Sequence, residues 1–353
     1  MPEPTLSVIV PFHDGADRLR ACLSGLASSS AEHELILVDD ASSDPAAIEL
    51  ARSSGARYVR LDTNRGPAVA RNAGARIASG EILAFVDSDV VVQPDSLAKL
   101  RAVLTLEPDV GAVFGSYDAA PASPGMVSRY RNLMHHFYHQ TGPREATTFW
   151  AGCGAMRRAV FERAGGFDER YRHPSIEDVE LGVRLHAAGV PIRLRPDIQC
   201  KHLKRWRLLE MVRVDVTRRA IPWTRLMIER PGIGRDLNLA PAQRLCVVLV
   251  FLAVALVPAG ALAPELRSIA AWLWLPLAAL APVVWINRRL YELFLRRGGA
   301  IFALQAFLLH LLYYVYGGLA WGWGQLVHRL GAKERAAAAL VALLGAWPAA
   351  CGG

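Results

Sequence analysis

The sequence predicts an α/β domain with a mostly parallel central sheet, followed by an all-α apolar region. Three observations carry that expectation. Short β-branched apolar runs alternate with helical spacing from Leu6 to about Gly115, the pattern of strands crossed over by helices. Several of those runs stop on aspartate, at Asp39-Asp40 and at Asp87 and Asp89. The last third holds three long tracts without a charged residue, which is where the 52% hydrophobic content of these 353 residues concentrates.

Each element follows from its own residues. Leu6 to Val10 (LSVIV) reads as a strand closed by Pro11; the turn His13-Asp14-Gly15 leads into helical spacing through Leu19, Cys22, Leu23 and Leu26. Glu34 to Val38 (ELILV) is a second strand, and Pro45 opens the next helix. Arg57 to Arg60 is a weaker third strand. The polar loop Asp62 to Pro67 then feeds a helix over Ala68 to Ala78. Glu81 to Val86 is the fourth strand, a helix follows near Ser96 to Leu106, and Gly111 to Gly115 is the fifth strand.

In such sheets ligands bind beyond the carboxyl ends of the strands. Asp39-Asp40, Asp62, and Asp87 with Asp89 all follow strands, so three acidic turns fall along one sheet edge. In extended chain, side chains two apart share a side. Asp87 and Asp89 can therefore converge on one hard cation, magnesium or manganese, that keeps positions open for phosphate oxygens. The same triplet could simply turn the chain at a strand end. The turn after the first strand, PFHDGAD, lacks GxGxxG, which argues against dinucleotide chemistry.

Beyond Gly125 the pattern loosens. Met126 to Gln140 is helix-like; its His135 and His139 stand four apart with no third ligand nearby, so a plain surface helix is expected over a metal site. Phe149 to Met156 is rich in small residues, as suits backbone packed under a ligand. After the turn Gly165-Gly166-Phe167-Asp168, a helix through Ile176, Val179, Val183 and Leu185 carries Glu177 and Asp178 at its start. Acids there can be no more than dipole complements.

Net charge is +8, and between Lys201 and Arg244 eleven Lys or Arg face four Asp or Glu. Basic protein suits nucleic acid or anionic lipid, and the adjoining apolar tracts favour lipid. Residues 201–243 are expected to form a basic amphipathic juxtamembrane segment, with Trp206 to Ile228 lying on the leaflet. Leu245 to Ala263, Ser268 to Asn287 and Gly298 to His328 are expected to span the membrane, since each reaches the about 20 residues of helix a hydrocarbon core needs. Arg288, Arg289, Arg296 and Arg297 put the second connection on the cytoplasmic side. The Ala-rich tail 331–353 leaves two readings, a re-entrant last span or a short fourth crossing. Five scattered cysteines and no secretory leader fit a multi-pass protein of the inner membrane with its first 200 residues in the cytoplasm.

The pieces SVIVPFHDGADRLRACLSGL, ELILVDDASSD, NRGPAVARNAGARIASGEILAFVDSD, AGCGAMRRAVFERAGGFDE and IEDVELGVRLHAAG occur in one order from Leu6 to Arg195. Together they resemble family 2 glycosyltransferases of the GT-A fold. The resemblance implies that Asp39 and Asp40 read the nucleotide beside the backbone of Pro11 and Phe12, and that Asn64, Gly66 and Arg71 line the same donor wall. It implies Asp87 on the ribose side and Asp89 on the metal side of a DxD pair, a Mg2+ or Mn2+ ion on the diphosphate, and His202 as a late metal ligand. Asp178 would be the general base, positioned by Glu177, in an inverting displacement. The acceptor would be polyprenyl-linked or a glycolipid. The Gln-x-x-Arg-Trp signature of processive synthases is missing; the chain offers only Arg218-Arg219-Ala220-Ile221-Pro222-Trp223.

Three rivals stand beside this reading. A phosphohydrolase of the haloacid dehalogenase type also ends a strand on DxD, but its motif opens the domain, whereas three strand-helix units precede it here. A non-catalytic scaffold of a glycan-export complex would not need Asp39, Asp87, Asp89 and Asp178 intact. A lipid flippase would place charge inside the spans, and these carry none.

Overall fold

The computed structural model describes residues 5–230, 240–262 and 269–329. They fall into two compact units, the first ending at Arg205 and the second beginning at Trp206.

In the first unit the chain runs β1 (Leu6–Phe12), α1 (Ala16–Ala27), β2 (Glu34–Asp39), α2 (Pro45–Ser53), β3 (Arg57–Arg60), α3 (Pro67–Ile77) and β4 (Ile82–Val86). It continues through β5 (Val90–Val92), α4 (Ser96–Leu106), β6 (Ala112–Tyr117), α5 (Met126–Thr141), β7 (Glu145–Ala146) and β8 (Cys153–Arg157). Then come α6 (Arg158–Arg163), α7 (Glu177–Ala187) and β9 (Ile192–His202). The strands form one mixed sheet in the order β3-β2-β1-β4-β8-β6-β9-β5, with β7 on β9. From β3 to β4 every pairing is parallel. This α/β architecture, with a mixed and mostly parallel central sheet, agrees with the expected fold class.

Local chemistry sets the boundaries. Asp44 caps α2 by accepting the Ala46 N–H at 3.0 Å, and Pro45 fills the first turn where no amide is needed. The continuous apolar run ILAFV makes β4 a strand buried on both faces at the sheet centre. Apolar clusters cover the sheet on either side: Val8, Val10, Leu19 and Leu100 on one, Ile9, Phe85, Phe149 and Leu181 on the other.

The sequence reading skipped β5, so the strand expected over Gly111 to Gly115 is the sixth and runs on to Tyr117. Three residues are too few for periodicity to register; β5 exists because the end of β9 pairs with it antiparallel, Val90 opposite His202.

The second unit holds α8 (Leu208–Val214), a π-helical turn at Asp215–Ala220, α9 (Ile221–Glu229), α10 (Pro241–Leu262), α11 (Ile269–Ile286) and α12 (Arg288–Arg329). Buried Asp215 accepts from Arg219 at 3.1 Å and from the Tyr316 hydroxyl at 2.7 Å. Asn287 joins Gln243 and Tyr314, each at 3.1 Å. The tracts expected as the first two spans lie in α10 and α11, helices of 22 and 18 residues. Among the described residues one helix, Arg288–His328, is long and apolar enough to cross a bilayer, so a multi-pass inner-membrane location is not supported. The helix also begins before the expected Gly298, and Gly299 (φ 77°) interrupts it. The tail 331–353 lies outside the described residues.

Candidate active site

The carboxyl edge of the parallel strands gathers most of the expected residues. Asp39 ends β2 opposite Phe12 and Arg60. Its carboxylate is fully buried and accepts three hydrogen bonds, from the Ser42 amide (2.7 Å), the Tyr58 hydroxyl (2.7 Å) and Arg60 Nη1 (2.8 Å). Burial alone would raise its pKa; the Ser42 and Tyr58 donors and the Arg60 charge outweigh that and hold it below the usual carboxylate range. Asp40 takes the amides of Arg65 and Gly66, both at 2.8 Å. Both acids therefore anchor loops. Asp40 fastens the segment that carries exposed Asn64, and Gly66 (φ 88°) lies so close to the Arg172 carbonyl that a Cβ there would sit 2.5 Å from its oxygen. Pro11 and Phe12 are buried at the end of β1, and the Phe12 carbonyl accepts the Asp40 amide at 2.9 Å. Asp14 (φ 55°) and Ala41 (φ 58°) hold left-handed backbone in the turns after β1 and β2, a conformation that non-glycine residues keep mainly where the surroundings enforce it.

Arg71, expected against the nucleotide, is turned inward from α3. Its guanidinium is buried, donates to Asp87 Oδ1 at 2.6 Å and Glu177 Oε1 at 2.9 Å, and stacks over Phe167. One arginine thus ties the acid after β4 to the acid that opens α7. Glu177 Oε2 accepts the Ser175 amide, while Asp178 beside it takes the amides of Ala151 (3.0 Å) and Val179 (2.8 Å). Burial and the Glu177 charge push the Asp178 pKa up to about 7, against the opposing charge of Arg71. Asp87 is likewise raised by burial, with Arg71 opposing the rise and Asp89 adding to it. Asp89 departs the other way: His202, whose Nε2 lies 3.5 Å from Asp89 Oδ2, overcomes the effect of burial and keeps it low.

A buried arginine thus couples the acid after β4 to the pair of acids that opens α7. Residues 7–165 match the family described as Glycosyl transferase family 2. The chain carries a family 2 glycosyltransferase domain. The O-antigen biosynthesis protein RfbC of Myxococcus xanthus is 30% identical over 254 residues, which cover 65% of this chain and 19% of that protein. Validoxylamine A glucosyltransferase of Streptomyces hygroscopicus subsp. jinggangensis is 29% identical over 230 residues, 54% of this chain and 53% of that one. The chain thus spans about a fifth to a half of the length of these relatives. Among solved structures, the mannosyltransferase PcManGT from Pyrobaculum calidifontis, in complex with GDP-Man and Mn2+, superposes with a TM-score of 0.52 at 20% identity, covering 80% of this chain and 88% of that one.

The donor set of the glycosyltransferase domain fits a hard cation in one particular way. Among the described residues no three His, Cys, Asp or Glu side chains converge on one point. Asp89 and His202 do stand 3.5 Å apart, a separation suited to two neighbouring ligands of one ion. Ions such as Mg2+ are commonly held by one or two protein ligands and completed by substrate phosphates and water.

Sequence reasoning missed several residues that build this site. Tyr58 and Arg60 saturate Asp39 from β3, and Asn72 clamps Phe167 through its backbone N–H and C=O, both at 2.9 Å. An arginine and a tyrosine on a strand give no sign of which acid they will meet. His135 and His139 are a correction. They face inward: burial pushes the His139 pKa down to about 4, and both rings pack on Trp150. A cavity of about 530 Å³ lies along β9 from Arg193 to Gln199, beside Gln140 and Arg144, and none of the candidate site residues lines it.

Proposed function

We propose that the glycosyltransferase domain transfers a sugar from a nucleotide-diphosphate donor, with inversion, to a lipid-linked or glycan acceptor at the membrane surface. The observation that carries this reading is the Asp87–Arg71–Glu177 bridge with Asp178 at its end, pushed up to about 7. It links a donor-side carboxylate to a base-side carboxylate through a single side chain.

In this reading the nucleotide rests on the ends of β1 and β2, between Pro11-Phe12 and the Asn64–Gly66 loop that Asp40 fastens. Asp87 takes the ribose side. A divalent cation, Mg2+ or Mn2+, would be held by Asp89 and His202, with Asp87 beside them, and when bound would neutralise the departing diphosphate. Asp178 accepts the proton of the acceptor hydroxyl as that oxygen attacks the anomeric carbon opposite the leaving group. Glu177, held by Arg71 and the Ser175 amide, keeps Asp178 in place. A base in this position typically contributes about 10²–10⁴-fold.

Membrane attachment is supported by α12. Ile301, Leu304 and Leu308 are 77%, 61% and 56% exposed on one side of the helix, while Phe302, Ala306 and Leu309 are buried on the other. A helix apolar on both sides suits lipid better than water. The basic stretch before it suits an anionic leaflet.

The test is to incubate the full chain, purified in detergent, with a panel of nucleotide sugars and Mg2+ or Mn2+, and to follow release of nucleoside diphosphate. One donor should give diphosphate in step with glycosylated acceptor, and Asp178→Asn should slow both by about 10²–10⁴-fold. Release of inorganic phosphate instead, or full turnover by Asp178→Asn, would overturn the proposal.

A further inference from the structure

We propose that Tyr117 is a positioning residue that fixes the imidazole of His202 toward Asp89 and so sets how tightly the site holds its divalent cation. The inference rests on the reading of Asp89 and His202 as the cation pair.

His202 is the last residue of β9, opposite Val90 of β5, where the ladder holds its backbone but not its ring. Its ring is nonetheless fixed, lying face to face on the Tyr117 ring with centroids 4.5 Å apart and planes 9° apart. Tyr117 ends β6 and pairs with Cys200, two residues before His202, so the two rings share one side of adjacent parallel strands. From that position His202 Nε2 stands 3.5 Å from Asp89 Oδ2. The Leu203 amide donates to the Asp89 carbonyl at 2.8 Å, which secures the backbone on both sides of the pair.

Tyr117 is itself braced. Trp150 meets it edge-on at 4.8 Å and 87°, and His135 packs against it at 4.2 Å. From α5, polar side chains hold the carbonyls along the end of β6: His139 Nδ1 with Gly115 O (2.9 Å), His136 Nδ1 with Tyr117 O (2.7 Å), and Asn132 Nδ2 donating to Asp118 O (2.8 Å). The Nδ1 of His135 is buried without a hydrogen-bond partner. Its ring therefore acts as a packing surface, and burial keeps it neutral. The histidines of α5 thus brace the tyrosine that braces the ligand. A ring already held in its binding orientation loses little rotamer freedom when the cation arrives. Partners that orient a metal ligand typically contribute about 10- to 100-fold to affinity.

The test uses the full chain in detergent, with Mn2+ titrated in the presence of UDP and, separately, GDP, and free Mn2+ read by electron paramagnetic resonance. Tyr117→Leu and Tyr117→Met, the second keeping more of the ring's volume, should weaken Mn2+ binding about 10- to 100-fold. Tyr117→Phe should stay within about twofold, because the stack needs the ring and not the hydroxyl. Turnover at saturating Mn2+ should change far less than the Mn2+ concentration giving half activity. In a His202→Ala background Tyr117→Met should have no further effect.

Undiminished Mn2+ binding in Tyr117→Met, or an equal loss with and without His202, would overturn the inference. Wild-type Mn2+ binding in His202→Ala would instead overturn the cation reading itself. In the unsubstituted chain the ring resonances of Tyr117 and His135 should be among the first broadened by Mn2+, and their survival while others broaden would also overturn the inference.

Discussion

Arg71 shows how one side chain organises the chemistry. Its charge is enclosed and balanced by Asp87 and Glu177, so removing it leaves buried Glu177 and half-buried Asp87 without that counter-ion. Breaking a buried pair from one side typically costs about 3–5 kcal/mol. Arg71→Ala should therefore lose stability of that order in a chemical-denaturation titration; a loss under about 1 kcal/mol would mean that water reaches the acids. Asp178 gives a prediction about rate. With its pKa raised to about 7, the base is protonated and idle in acid and free above neutrality. Turnover should rise with pH to a plateau, with its midpoint near 7, and Asp178→Asn should bind donor normally while losing about 10²–10⁴-fold in turnover. A flat profile between pH 5.5 and 8.5 would assign the base elsewhere.

At the scale of elements, loops are fastened to strands by acids that sequence inspection assigns to substrate. Asp40 holds the loop into α3, and Gly66 lies against the backbone of Arg172. Gly66→Ala forces a Cβ into that carbonyl at positive φ. It should cost on the order of 1–3 kcal/mol and raise the KM for the donor more than it lowers kcat, since the wall moves and the base does not. Glu34 fastens β2 in the same manner. Burial would raise its pKa, but hydrogen bonds from Ser7 and Ser79 and the pairing with Arg57 bring it down to about 2 from 4.5. A lowered pKa contributes stability in full above 4.5 and loses it as pH falls toward 2. Glu34→Gln should therefore be less stable than the parent at pH 7, with the two melting curves converging by about pH 2. The α5 helix teaches the reverse lesson: its histidines look like surface residues, yet they brace β6, because a neutral imidazole packs as an aromatic ring and still bonds a carbonyl.

For the whole molecule, the proposed membrane attachment rests on α12 of the second unit. If α12 lies in lipid, the full chain should stay with membranes after alkaline carbonate washing and come away only in detergent. Leu308→Arg should reduce that retention, since arginine at mid-helix opposes insertion by about 3 kcal/mol. Release of the unsubstituted chain by carbonate would refute the attachment and leave the chemistry of the first unit untouched.

The residues alone determined the alternation of strands and helices, the acidic edge and the apolar final third, because periodicity and strand-ending aspartates are local properties of the chain. Asp87, Asp89, Glu177 and Asp178 were all legible as candidates. The sequence did not disclose that Arg71 joins two of them, that Tyr58 and Arg60 saturate Asp39, or that β5 and Tyr117 fix His202 beside Asp89. Each of these depends on which distant segments are brought together, and a buried charge or ring acquires its role only from the partner that burial gives it.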